Sequence, residues 1–222
     1  MFSVEKVYPN NVSALSGIDL RISKGEFVFL VGQSGAGKST LMKMIYREEI
    51  PTSGNILVAG YNLNKMRHRD VPLLRRNIGV VFQDYRLLPD RTVFENVAFA
   101  LRVIEAPRRE IRRRTMGALE LVRLRERYTA LPGQLSGGEQ QRVAVARAIV
   151  NNPDIVLADE PTGNLDPETS LGIMRLFEEI NRSGCTVIVA THARQLVDML
   201  KKRVVALEGG RIVRDEIRGA YN

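Results

Sequence analysis

The 222 residues are 44% hydrophobic and 26% charged, a balance that excludes a disordered or fibrous chain and suits one well-filled domain. Lys plus Arg number 33 and Asp plus Glu 25, a formal charge of +8 that favours anionic partners (nucleotides, nucleic acid or an acidic lipid surface) without choosing among them. A lone cysteine, Cys185, excludes an internal disulfide and fits a reducing cytosol, and no apolar run reaches the ~18–20 residues of a membrane span.

In chain order, Phe2 to Tyr8 alternates as a strand does and lacks the apolar core of a signal peptide. A Pro-Asn-Asn turn leads to a second alternating run, Ala14 to Ile22. Glu26 to Val31 is almost continuously apolar, the pattern of a strand buried on both faces. A glycine-rich loop follows, then a helix over Ser39 to Arg47, and β structure over Asn55 to Leu63 and Ile78 to Phe82. From Thr92 to Asn152 the periodicity turns helical and arginine-rich, with Pro107 placed early in one helix and Arg108 to Arg114 as its solvated basic face. No aromatic residues interleave with those arginines, which argues against a nucleic-acid patch. Alternation then resumes: a strand over Asp154 to Ala158, a helix over Pro167 to Arg182, a strand over Thr186 to Ala190, a helix over Arg194 to Lys202, and a hairpin of Arg203 to Leu207 with Arg211 to Val213. The alternation predicts a parallel core sheet, and the helical block within it predicts a second lobe. Cys185 reads as a small buried hydrophobe and His68 as solvated surface.

The chemistry begins at Gly32-Gln33-Ser34-Gly35-Ala36-Gly37-Lys38-Ser39, followed by Thr40. Placed between a buried strand and a helix, this G-x-x-x-x-G-K-[ST] run is a phosphate loop. Its glycines admit close backbone approach, and consecutive N–H groups at the helix start cradle negative charge. Lys38 is expected to reach the β and γ phosphates of ATP and Ser39 to ligate Mg²⁺. A carboxylate for that metal comes at the end of a second buried strand, Ile155-Val156-Leu157-Ala158-Asp159-Glu160. Asp159 is expected on Mg²⁺ and Glu160 on the attacking water.

A second anion-binding helix start lies at Leu135-Ser136-Gly137-Gly138-Glu139-Gln140-Gln141-Arg142, where a hydroxyl and free N–H groups open a long helix. With this segment the chain resembles the ABC ATPase superfamily over essentially its whole length. The resemblance implies an α/β fold: a P-loop NTPase of the ABC type with a mostly parallel core sheet, an antiparallel β subdomain and an inserted helical lobe. The implied division is a catalytic core over residues 1–84 and 153–222 and a helical lobe over 85–152. It also implies that ATP is sandwiched in a homodimer, Ser136, Gly137, Gly138 and Glu139 of one subunit covering the nucleotide held by the other. Tyr8 stands where the family stacks an aromatic on adenine, Gln83 where it places a glutamine on Mg²⁺ or water, and His192 where a histidine touches the γ-phosphate. Asn164-Leu165-Asp166 resembles the loop that crosses between subunits. Ala193 departs from the family, which commonly has Asp there.

Within the superfamily, Val71 to Asp84, Leu87-Leu88, Asp90 to Val93 and Glu95 to Ala98 resemble the cell-division branch. That resemblance implies an integral membrane partner of the FtsX type, a peripheral position on the cytoplasmic side of the membrane, and control of cell-wall hydrolysis. The stretch Ala158 to Asp166 is shared with lipoprotein-releasing and macrolide-export ATPases, so an export subunit is the alternative. Members working on DNA or in translation carry a long coiled coil or two such domains in one chain, neither of which is present, so no nucleic-acid partner is expected. Asp84 to Val97 mixes Tyr85, Leu87, Leu88 and Phe94 with Arg86, Asp90, Arg91 and Glu95, the composition of a docking groove with an apolar centre and polar rim.

Overall fold

The computed structural model describes residues 1–221. The chain opens with β1 (Phe2–Val7) and β2 (Ser13–Ile18), then β3 (Phe27–Val31), α1 (Lys38–Ile45), and the short strands β4 (Ser53–Asn55), β5 (Leu57–Val58) and β6 (Tyr61–Asn62). Next come α2 (Val71–Arg76), β7 (Ile78–Val81), α3 (Val93–Val103), α4 (Arg108–Leu121) and α5 (Gly137–Ile149). The last third is β8 (Ile155–Asp159), α6 (Pro167–Arg182), β9 (Thr186–Ala190), α7 (Arg194–Leu200), β10 (Arg203–Glu208) and β11 (Arg211–Glu216).

The central sheet has the order β11-β10-β3-β9-β8-β7, parallel except for the antiparallel edge strand β11. Its middle strands are apolar throughout because both faces are covered. Phe27, Phe29 and Val31 of β3 face one core cluster with α3 to α6, while Val28 and Leu30 face another with α1, β1 and β2. β8 and β9 divide the same way, Val156 and Val187 to one side, Leu157 and Ile188 to the other. Each fully buried Leu or Phe in these layers contributes about 1.5–3 kcal/mol of transfer free energy. A second, antiparallel sheet, β2-β1-β4, packs at the α1 end.

Several helix boundaries are set by caps. Thr92 and Glu95 form a reciprocal capping box on α3, and Ser136 and Glu139 form one on α5. Asp166 caps α6 by accepting from the Thr169 N–H at 2.9 Å, with Pro167 in the first turn. Pro107 stands at the N-cap of α4, one residue outside the expected helical position, since its fixed φ suits the entry. Gly137 and Gly138 lie inside the first turn of α5 rather than before it. β2 ends at Ile18, short of the expected Ile22, where pairing with β1 stops. Among the described residues no helix is long and apolar enough to cross a membrane.

Candidate active site

The topology gathers the motifs. Spatial neighbours β3, β9, β8 and β7 point their carboxyl ends the same way, and these ends carry the phosphate loop, His192, Asp159-Glu160 and Gln83 in that order. Ligands in parallel sheets bind at such an edge. A cavity of about 1030 Å³ opens there, lined by Tyr8, Gly32 to Thr40, Gln83, Asp159, Glu160, Asn164 and His192. Every expected nucleotide or catalytic residue outside Ser136–Glu139 is on its wall.

Gly37 caps α1 with φ +102°, and a Cβ there would come within 2.7 Å of the Ala14 carbonyl and Leu15. Only glycine permits that turn, which seats the loop against β2. The loop is thus locked to the antiparallel sheet, which also carries Tyr8 at the end of β1. The Tyr8 hydroxyl lies 3.2 Å from Thr40 Oγ1, and Lys6 Nζ sits 5.0 Å from the ring centroid. Lys38 is 8% exposed, and its ammonium donates to the carbonyls of Gly32 (2.7 Å) and Gln33 (3.1 Å).

Asp159 hydrogen-bonds to the Ser39 hydroxyl. Burial raises its carboxyl above the ordinary range, the Ser39 bond and the Lys38 charge oppose that, and neighbouring Glu160 adds to it. A Ser hydroxyl, a carboxylate and the Gln83 amide on one wall are hard oxygen donors, the set Mg²⁺ takes alongside waters and phosphates. Glu160 adopts φ +47°, a left-handed conformation costing on the order of 1–3 kcal/mol in a non-glycine residue. Its backbone N–H donates to Ala190 O at 2.9 Å, binding the end of β8 to that of β9. Its Oε2 lies 2.9 Å from His192 Nδ1 and accepts from the His192 N–H at 3.3 Å. Ala193 supplies no side-chain cap to α7; its own N–H donates to Thr191 Oγ1 at 3.0 Å.

Ser136 to Glu139 stand apart from this cavity, at the start of α5. The Ser136 N–H donates to Glu139 Oε2 at 2.9 Å, and this bond holds the Glu139 carboxyl below its usual range. A link between the two places escaped sequence reasoning. Arg147, in the last turn of α5, donates to the carbonyls of Tyr85 (2.7 Å) and Arg86 (2.5 Å), just beyond Gln83. Both of those residues have positive φ, and the Arg86 guanidinium lies 3.8 Å from the Phe82 ring centroid. An arginine in the last turn of a helix carries no motif that reveals this. Tyr221, also on the cavity wall, was equally invisible, a single aromatic past the last hairpin. In the segment expected as a docking groove, Leu87 is half-buried against the main core and Leu88 is exposed; farther along α3, Phe99 and Val103 are exposed as well. Phe99 and Val103 line a cavity of about 460 Å³ with Pro72, Arg75, Arg76, Gly79 and Arg147.

Comparison with known proteins agrees with this architecture. The ABC transporter family matches residues 15–163. The cell division ATP-binding protein FtsE of Bacillus subtilis is 58% identical over 221 residues, covering all of this chain and 97% of the relative. FtsE of Escherichia coli K12 is 49% identical over 209 residues, 94% of each chain. The dimeric post-hydrolysis state of the ATP-binding cassette MJ0796 bound to ADP and Pi superposes with a TM-score of 0.87 at 38% identity over 98% of both chains. The structure of cbiO1 from Clostridium perfringens, part of the ABC transporter complex cbiONQ, gives 0.91 at 31% identity, over 98% of this chain and 87% of its own. With phosphate loop, strand-end carboxylates and signature helix assembled on that frame, the chain belongs to the ABC transporter family as an ATP-binding ATPase domain.

Proposed function

We propose that the chain is the ATP-hydrolysing subunit of a cell-division complex. In this reading it dimerises around ATP on the cytoplasmic side of the membrane and drives an integral membrane partner of the FtsX type. The observation that carries this is the separation of two anion-binding devices: the phosphate loop lines the cavity, while the Ser136 helix start lies outside it. A second copy placing its Ser136–Glu139 over the phosphates completes the site. The dimeric MJ0796 cassette and the FtsE relatives support the assembly and the cell-division role.

In this reading ATP stacks its base on Tyr8 and lays its phosphates along Gly32 to Thr40, with Lys38 exchanging two backbone carbonyls for phosphate oxygens. Mg²⁺ would be held by Ser39, Asp159 and Gln83, neutralising phosphate charge when bound. Glu160 orients and deprotonates the attacking water, a role worth about 10²–10⁴-fold. His192 leaves Glu160 Oε2 to contact the γ-phosphate. Residues 1–84 and 153–222 act as the catalytic core and 85–152 as the lobe that moves, with Arg147 transmitting the position of the Gln83 loop to α5.

Size-exclusion chromatography with ATP and Mg²⁺ tests the reading. Glu160→Gln is expected to bind ATP, turn over very slowly and elute as a dimer, whereas Lys38→Ala elutes as a monomer and loses ATP binding in calorimetry. A Glu160→Gln protein that stays monomeric at saturating ATP defeats the sandwich.

A further inference from the structure

Tyr221 follows β11 and is half-buried. It lines the ATP cavity with His192 and Gly32 to Ser34, and also a second cavity of about 480 Å³ behind the phosphate loop, beside Ala206 and Val213. A segment beyond the last strand frays unless tied down. From Gly219 to Tyr221 this one is tied down residue by residue. The Gly219 N–H donates to Lys202 O at 3.2 Å. Arg214 Nη2 donates to the carbonyls of Ala220 and Tyr221, each at 2.8 Å. The Tyr221 N–H donates to Asp198 Oδ1 at 2.7 Å.

Asp198 is on α7, the seven-residue helix that starts two residues after His192. That helix has no side-chain cap and no acidic residue in its first turn, and a helix so short has little stability of its own. A backbone N–H bonded to a carboxylate is a charge-assisted bond, stronger than a neutral one. The same carboxylate meets Arg194, in the turn next to His192, at 3.9 Å. One side chain therefore joins the segment to the beginning of α7.

We propose that the Gly219–Tyr221 segment is a positioning element for His192: Tyr221 walls the cavity beside the phosphate loop and, through Asp198, holds α7 and the Thr191–Ala193 loop in place. The inference rests on the reading of His192 as the γ-phosphate contact. With α7 fixed, the imidazole moves from Glu160 to phosphate by side-chain rotation on a steady backbone. With α7 loose, fewer molecules hold the productive geometry, so turnover falls. ATP affinity is set mainly by the phosphate loop and Tyr8 and stays close to that of the parent.

The chain has two histidines, so ¹⁵N-histidine spectra contain one reporter, His192, and one control, His68, on a separate exposed turn. Asp198→Ala, which removes the acceptor, and Tyr221→Pro, which removes the backbone donor, are expected to shift or broaden the His192 signal and leave His68 unmoved. They should lower kcat about 3- to 10-fold with the ATP Kd within about twofold of the parent. Asp198→Asn keeps an acceptor oxygen for the Tyr221 N–H, and Tyr221→Phe keeps the ring, so both should track the parent. Measurements are made at a temperature where melting curves show every variant folded. An unmoved His192 signal in Asp198→Ala and Tyr221→Pro overturns the proposal, as does a kcat loss matched by an equal loss of ATP affinity. A parent chain that binds ATP without hydrolysing it defeats the ATPase reading instead, and leaves the spectroscopic arm to decide the positioning role.

Discussion

Lys38 hydrogen-bonds to two neutral carbonyls, and a phosphate oxygen is a charged acceptor. Charge-assisted bonds are roughly twice as strong as neutral ones, so exchange toward ATP is favourable while the ammonium never sits buried without a partner. Glu160 follows similar logic, braced by His192 in a strained backbone that aims its carboxylate into the cavity. Cys185 shows the opposite case, a reactive group made inert. It is buried at the start of β9, and burial pushes its thiol up to about 11, with Asp154 adding to the shift and a backbone bond from Val156 opposing it. Because the value is raised above the ordinary 9.0, the thiol's contribution to stability is intact below that pH and is lost as pH rises through about 11. At pH 8 iodoacetamide is therefore expected to label the folded chain at least about tenfold more slowly than the urea-unfolded chain, read by mass spectrometry. Equal rates would show that the residue is not sequestered.

Two helices begin with the same device and serve different ends. On α3, Thr92 accepts from the Glu95 N–H at 3.2 Å and Glu95 Oε2 accepts from the Thr92 N–H at 2.9 Å. On α5, Ser136 and Glu139 repeat the box at 3.3 and 2.9 Å. The backbone N–H bonds hold both glutamates below the ordinary carboxylate range, so the caps persist above it and weaken as pH falls through the lowered values. Thr92→Ala and Ser136→Ala should each cost about 0.5–2 kcal/mol in urea unfolding. Only Ser136→Ala is expected to reduce ATP turnover and the Glu160→Gln dimer as well, because in the proposed dimer its hydroxyl would also serve the phosphates held by the second copy. Equal ATPase losses in both variants would mean that the α5 box is structural alone. The elements themselves were largely legible: the doubly buried strands by continuous apolar runs, α6 by Asp166-Pro167, the phosphate loop by its spacing. What stayed hidden depends on contacts between distant residues. Asn96 is fully buried and clamps the loop before α3, its amide donating to Leu88 O, Arg91 O and Thr92 O. Nothing in the local pattern distinguishes it from a surface asparagine, and its clamp fixes the loop in which Leu87 packs on the main core, ahead of the groove at Phe99 and Val103.

At the scale of the molecule, that groove and the ATP cavity are joined by one side chain. Arg147 lines the groove with Phe99 and Val103, and the same guanidinium holds the carbonyls of Tyr85 and Arg86 behind Gln83. A segment of a membrane partner seated in the groove would therefore rest on the residue that fixes the nucleotide-facing loop. Phe99 is 49% and Val103 63% exposed, and Arg75 and Arg76 border them, giving an apolar centre with a basic rim. A Phe seated at the centre of an interface, when it acts as a hot spot, is worth about 2 kcal/mol or more. Phe99→Glu with Val103→Glu is expected to leave ATP binding and soluble ATPase activity near those of the parent, since neither residue touches the cavity. Membrane recruitment in cells, followed by fractionation, should fall at least about tenfold, as loss of such an anchor implies. A charge at Leu87 should instead destabilise the fold, because that side chain packs on the main core. Undiminished recruitment of the doubly substituted chain, with recruitment lost in Lys38→Ala, would place the partner on another face and make nucleotide-driven dimer formation the event that brings the chain to the membrane.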